Sequence, residues 1–212
     1  MRETVGLCLL AAASVALTPL AATSQVTAQT HIAHVMSGFP AAPNGAALLA
    51  VAEADAALAV EHSRLAGSDR TDIGPMVRHA RHVLHALDAR AIASGPGSGF
   101  GVGPAADAIA QHIELAAGAE GATECVRQHS AHVAAAARAV SARAAAMREI
   151  ANNIVRTSDY VAAYDLVRQL QALAPQLVAG ADSSGDGSIA LAEGGLEHVR
   201  THMGLMTVTA SR

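Results

Sequence analysis

The sequence predicts an all-α protein: a helical bundle of two related helical hairpins, followed by a C-terminal helix–loop–helix. Composition is the first reason. The 212 residues are 51% hydrophobic but only 2% aromatic, and much of the apolar share is alanine, the strongest helix former and a small core residue that lets helices pack closely. The second is the stretch 123–157, which has no proline or glycine and repeats Val126, Val133, Val140, Met147 and Ile154 at intervals of seven. Such a period gives one sustained apolar seam on a long helix. The third is a repeated motif, HxxHV, at His31–Val35, His79–Val83 and His129–Val133. Two copies follow Val-Arg, at Val77-Arg78 and, with one extra residue, at Val126-Arg127, as expected of duplicated hairpins.

Taken in order, the chain opens with the pattern of an export signal. Arg2 precedes Val5–Ala22, a run without charge, and Val26-Thr27-Ala28 or Leu20-Ala21-Ala22 offers a small-residue cleavage site. The expected domains are therefore a signal peptide at 1–28, a histidine-rich bundle at 29–157, and a calcium-loop unit at 158–212. The protein is expected to be periplasmic or secreted, with no membrane association after cleavage. Cys8 would leave with the signal, so Cys125 would be free, metal-bound or paired between chains in an oxidising compartment.

The segment His31–Met36 is a short apolar piece carrying two histidines, ended by Pro40, Pro43, Asn44 and Gly45. A helix is predicted over 46–66, its apolar line running through Val51, Leu58 and Leu65 and taking in Asp55 and His62. A second is predicted over 72–91, with Pro75 in its first turn. Residues 95–103, Gly-Pro-Gly-Ser-Gly-Phe-Gly-Val-Gly, read as a flexible hinge between hairpins; no register gives GxGxxG, which excludes a dinucleotide loop. A third helix follows over 104–118 with His112 on its apolar face. The long helix then runs over 123–157, and a fifth is capped near Thr157 or Ser158 and split at Pro175. On the long helix Arg127, Arg138 and Arg148 read as the solvated side, while Arg143 lies nearer the seam and is expected to pair with an acid.

Residues 182–193 read Asp-Ser-Ser-Gly-Asp-Gly-Ser-Ile-Ala-Leu-Ala-Glu. This run resembles the calcium loop of the EF-hand family, a likeness confined to the loop and its flanking helices. The resemblance implies that Asp182, Ser184 and Asp186 supply side-chain oxygens and Ser188 its carbonyl, while Glu193 closes the site with two oxygens. It also implies that Gly187 makes the sharp turn and Ile189 points into the core. Ala190 departs from the family pattern, so water would stand in there. No second loop is available to pair with this one, and Gly194-Gly195 weakens the start of the exiting helix. An unpaired loop of this charge suits the weak end of the affinity range, about 10⁻⁴–10⁻³ M.

The histidines point to a transition metal. Cys125, His129 and His132 share a helix face at i, i+4 and i+7. With a donor from another helix, such as His112, His79 or His62, they make the four-ligand set of a zinc or copper site. His62, His112 and His129 all lie on apolar faces and are expected to converge inside the bundle. His31, His34 and His82 complete the candidate set, whereas His85, His198 and His202 read as solvated edges. His198 and His202 do not form HExxH.

The leading expectation is an exported protein that binds calcium in its loop and zinc, copper or nickel at its Cys/His sites, for storage, buffering or delivery. One alternative is a non-covalent bis-histidine haem bundle for electron transfer, on a resemblance to b-type cytochromes and with no CxxCH. Another is a structural or interaction module without a transition metal. An enzyme is not expected, since no nucleophile–base set stands out. A formal charge of −4 excludes a broad cationic surface for nucleic acid. Metal ions are the expected partners, and homo-oligomer formation stays open.

Overall fold

A computed structural model describes residues 26–208. Nearly all of the predicted export segment lies outside these residues, as do the last four positions. The protein is all-α, with no strand among the described residues. None of the described helices is long and apolar enough to cross a membrane.

The long helix is α5 (Glu124–Arg156). Thr123 caps its start by accepting the Val126 N–H at 3.2 Å. Val126, Val133, Val140, Met147 and Ile154, the seam read from the sequence, are all at most 5% exposed. Around α5 pack α4 (Val102–Gly118), α3 (Ile73–Leu87), α6 (Tyr160–Leu173) and α8 (Leu196–Val208). Helix α2 (Leu48–Ala66) lies against α3 and α4, and α1 (Ala28–Met36) lies against α4. Pro175 ends the α6 region, leaving the four-residue α7 (Gln176–Ala179). Buried alanines such as Ala52, Ala56, Ala80, Ala106, Ala137 and Ala144 line these seams, so the backbones approach closely and side chains at the seam edges meet across them.

Four local features differ from the sequence reading. Helix α1 begins at Ala28, whose buried N–H donates to the Glu120 carbonyl at 3.0 Å, so a cut after Ala28 would fall inside a packed helix. Residues 95–103 do not form a free hinge. Asp55, only 1% exposed, accepts the Ser98 N–H at 2.7 Å, the Ser98 hydroxyl at 2.5 Å and the Gly101 N–H at 3.0 Å. A buried carboxylate needs such donors, and the glycine-rich segment supplies them. Gly101 has φ +103°, and a Cβ there would stand 2.7–2.9 Å from Leu87–Asp88 backbone, which leaves room only for glycine. Arg143 also departs from expectation. Instead of pairing with an acid, its guanidinium donates to the Glu193 and Gly194 carbonyls at 2.6 Å each, tying the start of the α8 region to α5. Arg148 is less solvated than expected, donating to the buried Asp88 at 2.8 Å.

Candidate metal centres

The HxxHV motif places its histidines by burying its neighbours. In the first copy Ala28, Ile32 and Val35 are buried, and in the second Met76, Ala80 and Val83. These positions are i−3, i+1 and i+4 relative to the first histidine. They form a stripe that faces the core, and the two histidines, three residues apart, stand together on its shoulder. The motif's valine is completely buried in both copies, which sets the rotation of the helix and hence the direction of both rings.

Each pair then meets one histidine from the helix it packs on. His31 and His34 of α1 meet His112 of α4. The His112 Nδ1 lies 3.0 Å from His31 Nδ1 and 3.5 Å from His34 Nδ1. His79 and His82 of α3 meet His62 of α2, with the Nδ1 atoms of His62 and His79 at 3.0 Å and the His82 ring centroid 4.5 Å from that of His62. In each group the three ligand atoms lie within 4.8 Å of one another, so each could hold a metal ion. Zinc bound tetrahedrally by nitrogens at 2.0–2.1 Å requires nitrogens about 3.3 Å apart, and these separations bracket that value. At 3.0 Å two ring nitrogens cannot both present lone pairs to each other; either one donates a proton to the other or both face a cation.

The rings are half-buried, and burial favours the neutral, ligating form of His31, His62, His79, His82 and His112, with Glu61 acting the other way at His62. Burial, more than any neighbour, holds the pKa of His62 below the ordinary histidine value. Burial and then the charges of His62, His82 and Arg78 lower His79. For His82 the causes are burial, His62, Arg78 and His85, in that order. Burial with His34 lowers His31, and burial with His34 and His31 lowers His112. His82 Nδ1 is also buried with no hydrogen-bond partner, an uncommon state for a polar atom and one that coordination would relieve. At the first group Phe39 packs its ring against His34 and His112, centroids 5.4 and 5.1 Å away.

The expected convergence on Cys125 does not occur. His112 turns to α1 and His62 to α3, because the helix on which each one packs carries its own histidine pair. His129 and His132 face α8, where His129 Nδ1 lies 3.0 Å from His202 Nδ1. The Cys125 thiol is directed at the Leu205 carbonyl, 3.7 Å away, and belongs to neither of the two close groups. His202 was read as a solvated edge but is half-buried at the α5 seam. Its signal lay in the apolar Val199, Met203 and Met206 around it, all buried. Of the other edge histidines, His85 Nδ1 meets the Pro96 carbonyl at 2.9 Å, and His198 Nδ1 accepts the Gly195 N–H at 3.4 Å.

In the loop at 182–193, Asp182 Oδ1 accepts the N–H groups of Gly185 and Asp186 at 2.6 and 3.2 Å, and Oδ2 accepts that of Gly187 at 2.8 Å. These donors, Gly187 first, hold its carboxyl below the usual range. Asp186 is lowered chiefly by the Ser188 hydroxyl, which donates to it at 2.7 Å. Glu193 is turned back on the loop itself, accepting from the N–H groups of Ser183, Ser184 and Ala190 at 2.8–2.9 Å. Asp182, Asp186 and Glu193 are not gathered within 4.8 Å of one another. Ile189 is 38% exposed instead of buried, since the sequence supplies no second loop to cover it. The helix beyond the loop starts only at Leu196, after Gly194-Gly195.

The fold and these groups define an all-α bundle whose helix seams carry histidine clusters able to hold a metal ion. No protein-family model, curated protein or solved structure matches the chain.

Proposed function

We propose that this protein is an exported transition-metal-binding bundle that holds zinc, copper or nickel in histidine triads, for storage, buffering or delivery. One observation carries the reading: two separate helix pairs bring three imidazoles within ligating distance by the same arrangement, His31/His34/His112 and His62/His79/His82. Three nitrogen donors leave a fourth position for water or an incoming ligand. That suits a protein that must release its metal again better than a closed structural site. Softness favours borderline ions over magnesium or calcium at these nitrogens. Nitrogens 3.0–3.5 Å apart gather around a point and do not face each other across a porphyrin plane, so a bare ion fits better than haem. The test is elemental analysis of untagged protein, followed by zinc titration against His62→Ala and His112→Ala. Loss of one equivalent in each variant is expected, and unchanged stoichiometry in both would overturn the reading.

A calcium ion in the 182–193 loop is the second part of the proposal. Support comes from the twelve-residue pattern and from the turn at Gly187, with φ +85°, around which Asp182 gathers backbone donors. Binding would require Glu193 to exchange its three N–H partners for the ion, which agrees with a weak site. Calorimetry on Glu193→Gln tests it: calcium heats equal to those of the parent would remove calcium from the account.

A further inference from the structure

We propose that His129, His132 and His202 form a third metal site of the same class, built between α5 and α8; this rests on the reading of the other two groups as metal sites. Two independent correspondences support it. The first is the burial pattern. Around His129 the positions i−3, i+1 and i+4 are Val126, Ser130 and Val133, all buried, as are their counterparts around His31 and His79. The single histidines obey the same rule. Ala59, Ser63 and Ala66 around His62, Ile109, Ile113 and Ala116 around His112, and Val199, Met203 and Met206 around His202 are all buried. Both halves of the third group are therefore presented to the seam as in the first two.

The second correspondence is atomic. His129 Nδ1 and His202 Nδ1 are 3.0 Å apart, matching His79 with His62 and His31 with His112. The second ring of the motif lies 4.4 Å, centroid to centroid, from His202, against 4.5 Å for His82 and His62, although the three ring nitrogens of this group are not all within 4.8 Å of one another as they are in the other two, so the rings must turn to share an ion. His132 Nδ1 is buried without a hydrogen-bond partner, the same defect in the same place as His82 Nδ1. Two buried ring nitrogens left without partners at equivalent positions of a repeated motif point to a common ligand. For three imidazoles that ligand is a borderline divalent ion.

This site differs from the others in depending on α8. The turn that leads into α8 is fixed to α5 by the two Arg143 bonds, and Gly195 packs directly on the Val178 carbonyl and the Gly180 nitrogen. The third site therefore exists only while α8 is docked, whereas the other two lie on α1–α4 and α2–α3.

Cobalt(II) titration of the full chain, followed by its visible absorption and by equilibrium dialysis with elemental analysis, tests the proposal. The parent should bind three equivalents and His202→Ala two, while the His62→Ala/His112→Ala double variant should retain one, which adding His202→Ala removes. Circular dichroism of each variant shows whether its helices are retained, and His129→Ala, altering the same site from the other helix, gives a second reading. A parent that binds two equivalents, with His202→Ala also at two, overturns this inference and leaves the function standing. A parent that binds none overturns both.

Discussion

The Nδ1 atoms of His62 and His79 stand 3.0 Å apart across the α2–α3 seam, and 17 residues separate them in the chain. The same interval separates His112 from His129, yet these two take different partners: His112 turns to α1 and His129 to α8. Spacing alone thus does not assign a ligand. What decides is which helix fills the seam beside each histidine.

The valine of the motif should matter to affinity without touching the metal. Val83 is fully buried, and Val83→Ala should cost roughly 2 kcal/mol through lost burial and a small cavity. It should also weaken zinc at His62/His79/His82 while leaving the His31/His34/His112 group unchanged. Urea unfolding read beside zinc titration of the variant separates the two effects.

Metal-free protein should lose stability in mild acid. The pKa values of His31, His62, His79, His82, His112 and His202 are lowered, with burial the first cause in each, so the folded state binds fewer protons than the unfolded chain. Stability is then fully present above the unfolded value near 6.5 and is lost as pH falls from there through the lowered folded values. The urea midpoint should drop on going from pH 7.5 to pH 5. His79→Gln combined with His112→Gln should flatten that drop; an equal slope in parent and variant would assign it to other groups.

Bound zinc should stabilise the protein by mass action, about 2.7 kcal/mol per site at one hundred times the dissociation constant. Because protons compete for the same nitrogens, the gain should shrink as pH falls below 6.5. Thermal unfolding with zinc and then with excess chelator, at pH 7.5 and 5.5, measures this directly.

Asp55 should prove a structural acid. Asp55→Ala leaves the N–H groups of Ser98 and Gly101 without their partner and should cost about 2–3 kcal/mol. Hydrogen exchange should accelerate at Ser98 and Gly101, and metal stoichiometry should not change. Retained protection at both amides would show that the segment is held by something else.

Arg143→Gln should loosen α8. Losing the charged donors to the Glu193 and Gly194 carbonyls should cost roughly 1.5–3 kcal/mol. Metal held through His202 should weaken, and metal at the other two groups should not. Dialysis of the variant against cobalt at graded concentrations gives that comparison.

Much of this molecule is legible along the chain because helices are local objects. The seam from Val126 to Ile154, the Thr123 cap, the break at Pro175 and the helical character of 46–66 follow from period, capping chemistry and backbone sterics, all of which act within a few residues. The HxxHV motif is equally local: two histidines three residues apart share a face whatever lies opposite. The apolar neighbours of His202 mark it as half-buried, but nothing local revealed which imidazoles it meets, that Asp55 holds the glycine-rich segment or that Arg143 seats the turn into α8. Each of those pairings spans more than forty residues and depends on which helices become neighbours. The sequence by itself determined the helices, their buried stripes and the paired histidines on the shoulders of those stripes. Tertiary structure decided which third imidazole each pair receives, because an interhelical ligand is selected by the packing of two buried faces and not by distance along the chain.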